Sequence, residues 1–329
     1  MIIKVYTNLV AEGWNGESLN TGCGGSEEML IELMRELAKK GHDITIYHNG
    51  EHGVYDGVKY CDHRDFNPWE FSDVFISFKA RGILRQSINA NKILHWSHEI
   101  EPKLQQSELE GLDNFLCVSE YHKRNIEPDS EKVVVMYNHF DKERMDRNKV
   151  KREKGSLLYC SSLDRGLEEL LNEFPKIKKA MGVKKLYITY GWDFINQVIK
   201  RNPSMIVWKD KMEKLIAQDG IEFVGRLSYD DMCKMYWKAE YWCLPLNNPQ
   251  SELFCINAAK ANGAGCKPLV RRIGALQETV QFYYDFDKIK GDKVGNHNFP
   301  KGSIKKNKEF ALNFTLEKNV ERWEELMTK

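Results

Sequence analysis

The chain has 329 residues, 42% apolar and 29% charged, and its 49 basic and 48 acidic side chains leave a net charge of +1. That length exceeds what one core usually organises and suggests two domains of roughly 150 residues each, while the near-zero charge excludes a global field for nucleic acid or an anionic membrane and leaves only local patches. No apolar run approaches the ~20 residues of a membrane helix, and the opening MIIKVYTN reads as a strand rather than a leader, so the expected setting is cytoplasmic or peripheral at a membrane.

In chain order, short β-rich runs alternate with amphipathic helical ones, the pattern of an α/β fold with parallel sheets. Strands are expected at residues 2–7, 43–47, 74–77, 92–96, 115–119 and 133–137. Between the first two, SEEMLIELMRELAKK places Met29, Leu30, Leu33, Met34, Leu37 and Ala38 on one helical face. Ser26 is expected to cap that helix and Gly41 to end it. DKERMDRNKVKREKG, residues 141–155, is densely charged without apolar periodicity and reads as an interdomain linker. A second set of strands follows at 157–160, 185–190, 221–224, 241–244 and 268–270. The Lys-, Gly- and Asn-rich stretch 288–308 reads as a long loop. In the final helix Phe314, Leu316, Val320 and Trp323 share a face expected to cross back onto the first domain. The expected division is 1–148, 149–310 and the crossing helix 311–329. Two doubly wound domains imply a cleft with ligands at the carboxyl ends of the strands. The eight cysteines form no CxxC pair and read as reduced, buried thiols.

The most informative stretch is ELFCINAAKANGAGCKPLVRRIGALQET, residues 252–279. It resembles the donor-site signature of retaining glycosyltransferases of family 4: a Glu, seven residues, a second Glu on a small-residue helix ending in Gly, a buried strand, and a G-A-L-x-E-T turn. Glu252, Phe254, Cys255, Ile256, Gly265, Gly274, Glu278 and Thr279 fit in register, whereas Lys260 stands at the second Glu. Gly24, Gly25 and Ser26 resemble the family's Gly-Gly loop after the first strand, and LHWSHEIEP its W-x-H-D segment with His98 at the His. SSLDRGLEELL resembles the segment with two diphosphate-binding basic residues, Arg165 fitting the second and Ser162 replacing the first. YGWD, with Gly191, and VGRLSYDDM, with Gly225 and Arg226, also fit. The resemblance spans nearly the whole chain and implies a GT-B architecture, two Rossmann-like domains facing across a cleft.

These residue types suit sugar transfer from a nucleotide diphosphate. As the bond to the anomeric carbon breaks, charge grows on the departing diphosphate and must be met by something positive. Arg165 offers a planar guanidinium, and the Gly24–Gly25 turn offers free N–H groups at a helix start, so no metal is expected. By resemblance Glu252 accepts hydrogen bonds from the donor sugar's hydroxyls and His98 reaches that sugar from the first domain. Arg226, with the backbone at 224 and 225, is a candidate for holding the base. Arg165 has a plainer reading as the ion-pair partner of Glu168 or Glu169.

Lys260 is donor-only and cannot accept from a ribose, as the family's second Glu does; it implies weakened ribose affinity, a different donor, or loss of turnover. A nucleotide-sugar-binding protein without turnover is therefore an alternative, while a dehydrogenase is disfavoured because no G-x-G-x-x-G follows the first strand. The acceptor is expected to be a glycan or glycolipid by resemblance; the lysines at 288, 290, 293, 301, 305, 306 and 308 leave an anionic acceptor such as modified DNA as the other option. The DFD at 285–287 reads as a solvated turn.

Overall fold

The computed structural model describes residues 1–8, 13–100, 104–126, 130–290 and 299–329. It is a mixed α/β chain with two compact units, residues 1–141 with 314–329, and residues 142–313.

The sheet of the first unit contains β1 (Ile2–Tyr6), β2 (Asp43–His48), β3 (Gly53–Tyr55), β4 (Val58–Asp62), β5 (Ser72–Phe78), β6 (Ala90–Trp96), β7 (Asn114–Cys117) and β8 (Val133–Val135). Their order is β3-β4-β2-β1-β5-β6-β7-β8, and every pairing is parallel except the β3/β4 hairpin. Asp56 and Gly57, both at positive φ, form that hairpin's turn. The helix Gly25–Lys39 buries Met29, Leu30, Ile31, Leu33, Met34 and Leu37 completely. Gly24, not Ser26, is its N-cap, and Ser26 lies within the first turn. Gly41, at φ +89, closes the other end.

The helix Leu316–Thr328 belongs to this unit. Its Trp323 packs edge-on against Trp96, with ring centroids 4.8 Å apart. Lys92 Nζ donates to Leu326 O at 2.6 Å, and Lys40 pairs with Glu324 at 2.6 Å.

In the second unit β9 (Glu153–Tyr159), β10 (Lys185–Ile188), β11 (Ile221–Phe223), β12 (Ala239–Leu244), β13 (Lys267–Val270) and β14 (Tyr284–Asp285) form one parallel sheet in the order β11-β10-β9-β12-β13-β14. Renumbered from its first strand this is 3-2-1-4-5-6, the Rossmann order. The strands legible as apolar runs are those buried on both faces, as a helix-covered parallel sheet requires: Leu157, Leu158, Tyr159, Leu186, Ile188, Cys243 and Leu269 are at most 0% exposed.

Three sequence expectations are corrected. The stretch 141–155 contains the boundary between the two units, at 141/142, but it is not an irregular linker. It contains the helix Lys142–Arg147 and the start of β9. The helix is anchored by buried Met145, whose carbonyl accepts from Trp237 Nε1 at 2.8 Å, and by the Arg144–Asp230 ion pair at 2.6 Å. The stretch 288–308 is not one loop, since the helices Phe286–Lys290 and Ser303–Ala311 occupy both ends of it; Lys293 lies outside the described residues. Nor is 285–287 a solvated turn, because Phe286 is fully buried and Asp287 pairs with Arg271 at 2.8 Å.

None of the eight cysteines forms a disulfide; six are buried and Cys23 and Cys61 half-buried. No helix of the described residues is long and apolar enough to cross a membrane.

Candidate functional site

In the second unit β9 and β12 are neighbours, but the chain leaving β9 moves toward β10 and the chain leaving β12 toward β13. A crevice opens where the winding reverses, at the carboxyl ends of these two strands. The loops that border it carry Ser162 and Arg165 on one side and Glu252, Phe254, Cys255 and Ile256 on the other.

Tyr159, the last residue of β9, shapes the first loop: its buried hydroxyl donates to Ser162 O at 2.6 Å, with Arg165 O at 3.0 Å. Gly166 then lets the two loops meet. It has φ +81, and a Cβ there would lie 2.5 Å from Pro245 O. Gly166→Ala therefore combines left-handed strain with a carbonyl clash and is expected to cost about 1–3 kcal/mol, read as a lowered urea midpoint with unchanged slope. The helix Leu167–Met181 begins directly after Gly166, and the helix Ile256–Ala264 directly after Cys255. Two helix N-termini thus start from the crevice loops, where free N–H groups and helix dipoles favour anions.

Arg165 Nη1 lies 3.3 Å from Glu252 Oε2, with the Glu252 side chain 12% exposed and that of Arg165 39%. Glu168 and Glu169 have other partners, Lys211 at 2.5 Å and Arg271 at 2.6 Å. Burial pushes the Glu252 carboxyl up to about 7, against the opposing pull of Arg165 and the Phe254 N–H. A carboxyl poised near neutrality at a crevice is a mark of a functional position.

Two buried hydroxyls near these loops, Ser162 Oγ and Thr189 Oγ1, have no hydrogen-bond partner among the described residues. Thr189 is 4% exposed, and its N–H donates to Tyr159 O at 3.1 Å. Buried hydroxyls are normally satisfied, so a polar group entering this corner would find two unused hydrogen-bonding partners. Thr189 had no motif to flag it; its only signal was its place one residue beyond a strand.

Gly191, Gly225 and Arg226 come together beyond β10 and β11. A Cβ on Gly191 would lie 3.4 Å from Arg226 N, Gly225 has φ +80, and the Arg226 guanidinium sits 5.6 Å from the Tyr190 ring centroid. Trp192 stacks on Phe223 nearby at 5.7 Å. Lys260 is placed differently, 4% exposed with its ammonium 4.6 Å from the Tyr229 ring centroid. Arg144 lies 4.5 Å from the same centroid.

The first unit holds Gly24, Gly25 and His98. Gly24 and Gly25 open the 15-residue helix Gly25–Lys39. His98 follows β6, its ring against Trp96 at 4.8 Å and Phe78 at 5.0 Å. Its Nε2 is buried without a hydrogen-bond partner among the described residues. Burial foremost, then Lys79 and the neighbouring His122, His139 and His95, hold its imidazole well below the usual range, so it is neutral near pH 7. Among the described residues no group of three or more His, Cys, Asp or Glu could hold a metal ion.

The sequence matches no protein-family model and no curated protein significantly. Solved structures do match. The glycosyltransferase from Rickettsia africae superposes with a TM-score of 0.69 at 15% identity, covering 99% of this chain and 97% of that one. Sucrose-phosphate synthase from Thermosynechococcus elongatus gives 0.69 at 12% identity, with 98% and 97% covered. HepE of Anabaena, solved in complex with UDP and glucose, gives 0.66 at 12% identity over the whole of both chains. At these identities the likeness concerns the fold, and the chain has the pair of Rossmann-like units seen in GT-B glycosyltransferases.

Proposed function

We propose that this chain is a retaining glycosyltransferase of the family 4 type, moving a hexosyl or pentosyl group from a nucleotide diphosphate sugar to a glycan or glycolipid acceptor without a metal ion. The observation that carries the reading is the Arg165–Glu252 pair at the winding reversal of the second unit, beside two helix N-termini and two orphaned hydroxyls. The solved structures of similar fold support it, HepE with its UDP and glucose most directly.

Each residue then has a chemical task. Arg165 meets the charge growing on the leaving diphosphate, a stabilisation made largely in the transition state. Ser162 Oγ donates a hydrogen bond to a phosphate oxygen. Glu252 accepts from sugar hydroxyls, and its ionised form does so more strongly. The backbone at Gly191 and Gly225, with Arg226 and the Tyr190 ring, holds the base. Phe254, Cys255 and Ile256 present main-chain groups at the start of their helix. Within the first unit, His98 offers a hydrogen-bonding group suited to a sugar hydroxyl and the Gly24–Gly25 turn a helix start suited to a phosphate. A neutral imidazole suits His98, since it can donate from one ring nitrogen and accept at the other.

Lys260 favours a second reading, a nucleotide-sugar-binding protein with little turnover. Its ammonium is stacked on Tyr229 and is not an acceptor for ribose. The anionic-acceptor option has less support, because several of its lysines are engaged within the second unit. Lys290 pairs with Glu169 at 2.7 Å, Lys306 lies over Phe282 and Lys308 over Trp237.

The test is a panel of UDP-, GDP-, ADP-, CDP- and dTDP-sugars, screened by thermal shift and by hydrolysis in the presence of chelator, with the anomer of the released sugar read by NMR. Selective stabilisation with slow hydrolysis to the donor's own anomer is expected. Binding without hydrolysis would favour the second reading, and indifference to every donor would overturn both.

A further inference from the structure

The winding of the first sheet reverses between β1 and β5, which pair directly but lead outward to β2 and β6. The residue leaving β5 at that point is Lys79. No motif marks it, yet its backbone lies at φ +59, a left-handed conformation that glycine adopts freely and lysine does not. Its N–H donates to Trp96 O at 3.1 Å, so the sheet holds it there.

The Lys79 side chain is 14% exposed and joins two segments. Nζ lies 3.2 Å from Glu27 Oε1, in the first turn of the helix that Gly24 and Gly25 open, and 3.6 Å from Glu99 Oε1, the residue after His98. Glu27 is itself 14% exposed and Glu99 50%. The Glu27 carboxylate lies against Gly24, where a Cβ would collide with Oε2. Phe78, next to Lys79, packs on the His98 ring. One cation therefore reaches both elements that bear this unit's candidate site residues. If only the turn mattered, glycine would serve at lower cost; a strained residue at such a point marks a side chain with a task.

We propose that Lys79 is a positioning residue for the first unit's site, its ammonium fastening the Gly24–Gly25 turn to the His98 loop through Glu27 and Glu99. The inference rests on reading His98 and that turn as site residues of a glycosyltransferase. Lys79 also sets the electrostatics there: with burial, and with His95, His122 and His139 around the ring, its charge disfavours a second positive charge on His98. Glu27 and Glu99 partly offset that charge.

The test compares the full chain with Lys79→Gly, Lys79→Met, Lys79→Arg and Glu99→Gln, using thermal unfolding, NMR titration of the His98 ring and donor-hydrolysis kinetics. Lys79→Gly removes the ammonium and the backbone strain together, so it should melt at or above the native temperature. Its His98 midpoint should rise, and its kcat should fall about tenfold with donor KM changed less than about threefold. Lys79→Met should reproduce the His98 and kcat changes, and Lys79→Arg should restore both. Glu99→Gln, which cuts one end of the fastening at a half-exposed position, should lower kcat and shift His98 downward. A native His98 midpoint in both Lys79→Gly and Lys79→Met would overturn the proposal, as would a Lys79→Arg chain that behaves like Lys79→Gly. If the native chain hydrolyses no donor, the glycosyltransferase reading fails, while the His98 titrations still decide whether Lys79 acts on the ring.

Discussion

Glu252→Gln is expected to cut turnover steeply and, at pH 8, to make the protein more stable. The native carboxyl is held at about 7, against an ordinary value of 4.5, chiefly by burial. A carboxyl raised on folding gives stability that is complete below the unfolded value and is lost as pH rises through the folded one. At pH 8 the native chain therefore bears an ionised, nearly enclosed carboxylate, and glutamine does not. The difference is on the order of 2 to 3 kcal/mol, or roughly 5 to 10 °C in melting temperature. At pH 4 the two proteins should melt together. Turnover should fall at least about a hundredfold, because glutamine replaces a charged acceptor by a weaker neutral one. Melting curves at the two pH values and initial rates of donor hydrolysis check this; equal melting at pH 8 would show that Glu252 is not held in its strained, functional state.

Arg165→Ala should act in the opposite sense on stability and in the same sense on activity. Without the guanidinium 3.3 Å away, Glu252 loses the charge that opposes its burial, and its carboxyl rises further. The variant should be less stable than the native chain at pH 8, and nearly equal to it at pH 5, where Glu252 is protonated in both. Hydrolysis should fall by about 10²- to 10³-fold, the usual effect of removing one preorganised group that meets developing charge. In a double-mutant cycle at pH 8 the loss caused by Arg165→Ala should largely vanish in the Glu252→Gln background, since glutamine removes the charge that Arg165→Ala leaves without its partner.

Much of the fold was legible because buried parallel strands are nearly continuous apolar runs. FISF and FLCVS could hardly be anything else, and the helix Gly25–Lys39 carries its buried face openly. The elements that were missed lack such a signature. The helix Lys142–Arg147 is held by one apolar side chain, Met145, within a run of charges. The helix Ser303–Ala311 buries Ser303, Asn307 and Ala311, and Asn307 bonds both the N–H and the carbonyl of Phe282, so its inner face reads as polar.

The site was legible in the same uneven way. Register against a known signature singled out Glu252 and Arg165, yet nothing local said that residues 87 apart would pair; Glu168 and Glu169, three and four positions away, were the obvious partners. The winding order of the sheet decides it, and that order is a property of the whole unit. Lys79 and Thr189 were missed for the same reason, because each acquires meaning only from standing at the end of a strand. Lys260 could be read as a departure from the signature, but its stacking on Tyr229 depends on the packing of two helices that the sequence does not align.

The most direct test of the account is calorimetric titration of the nucleoside diphosphate selected by the donor panel into the native chain and into Arg165→Ala at pH 8 and low salt. If the reversal point of the second sheet is the diphosphate site, affinity should fall about 10- to 100-fold in the variant, with the lost affinity diminishing as salt screens the pair. Undiminished binding by Arg165→Ala would contradict it and place the nucleotide elsewhere.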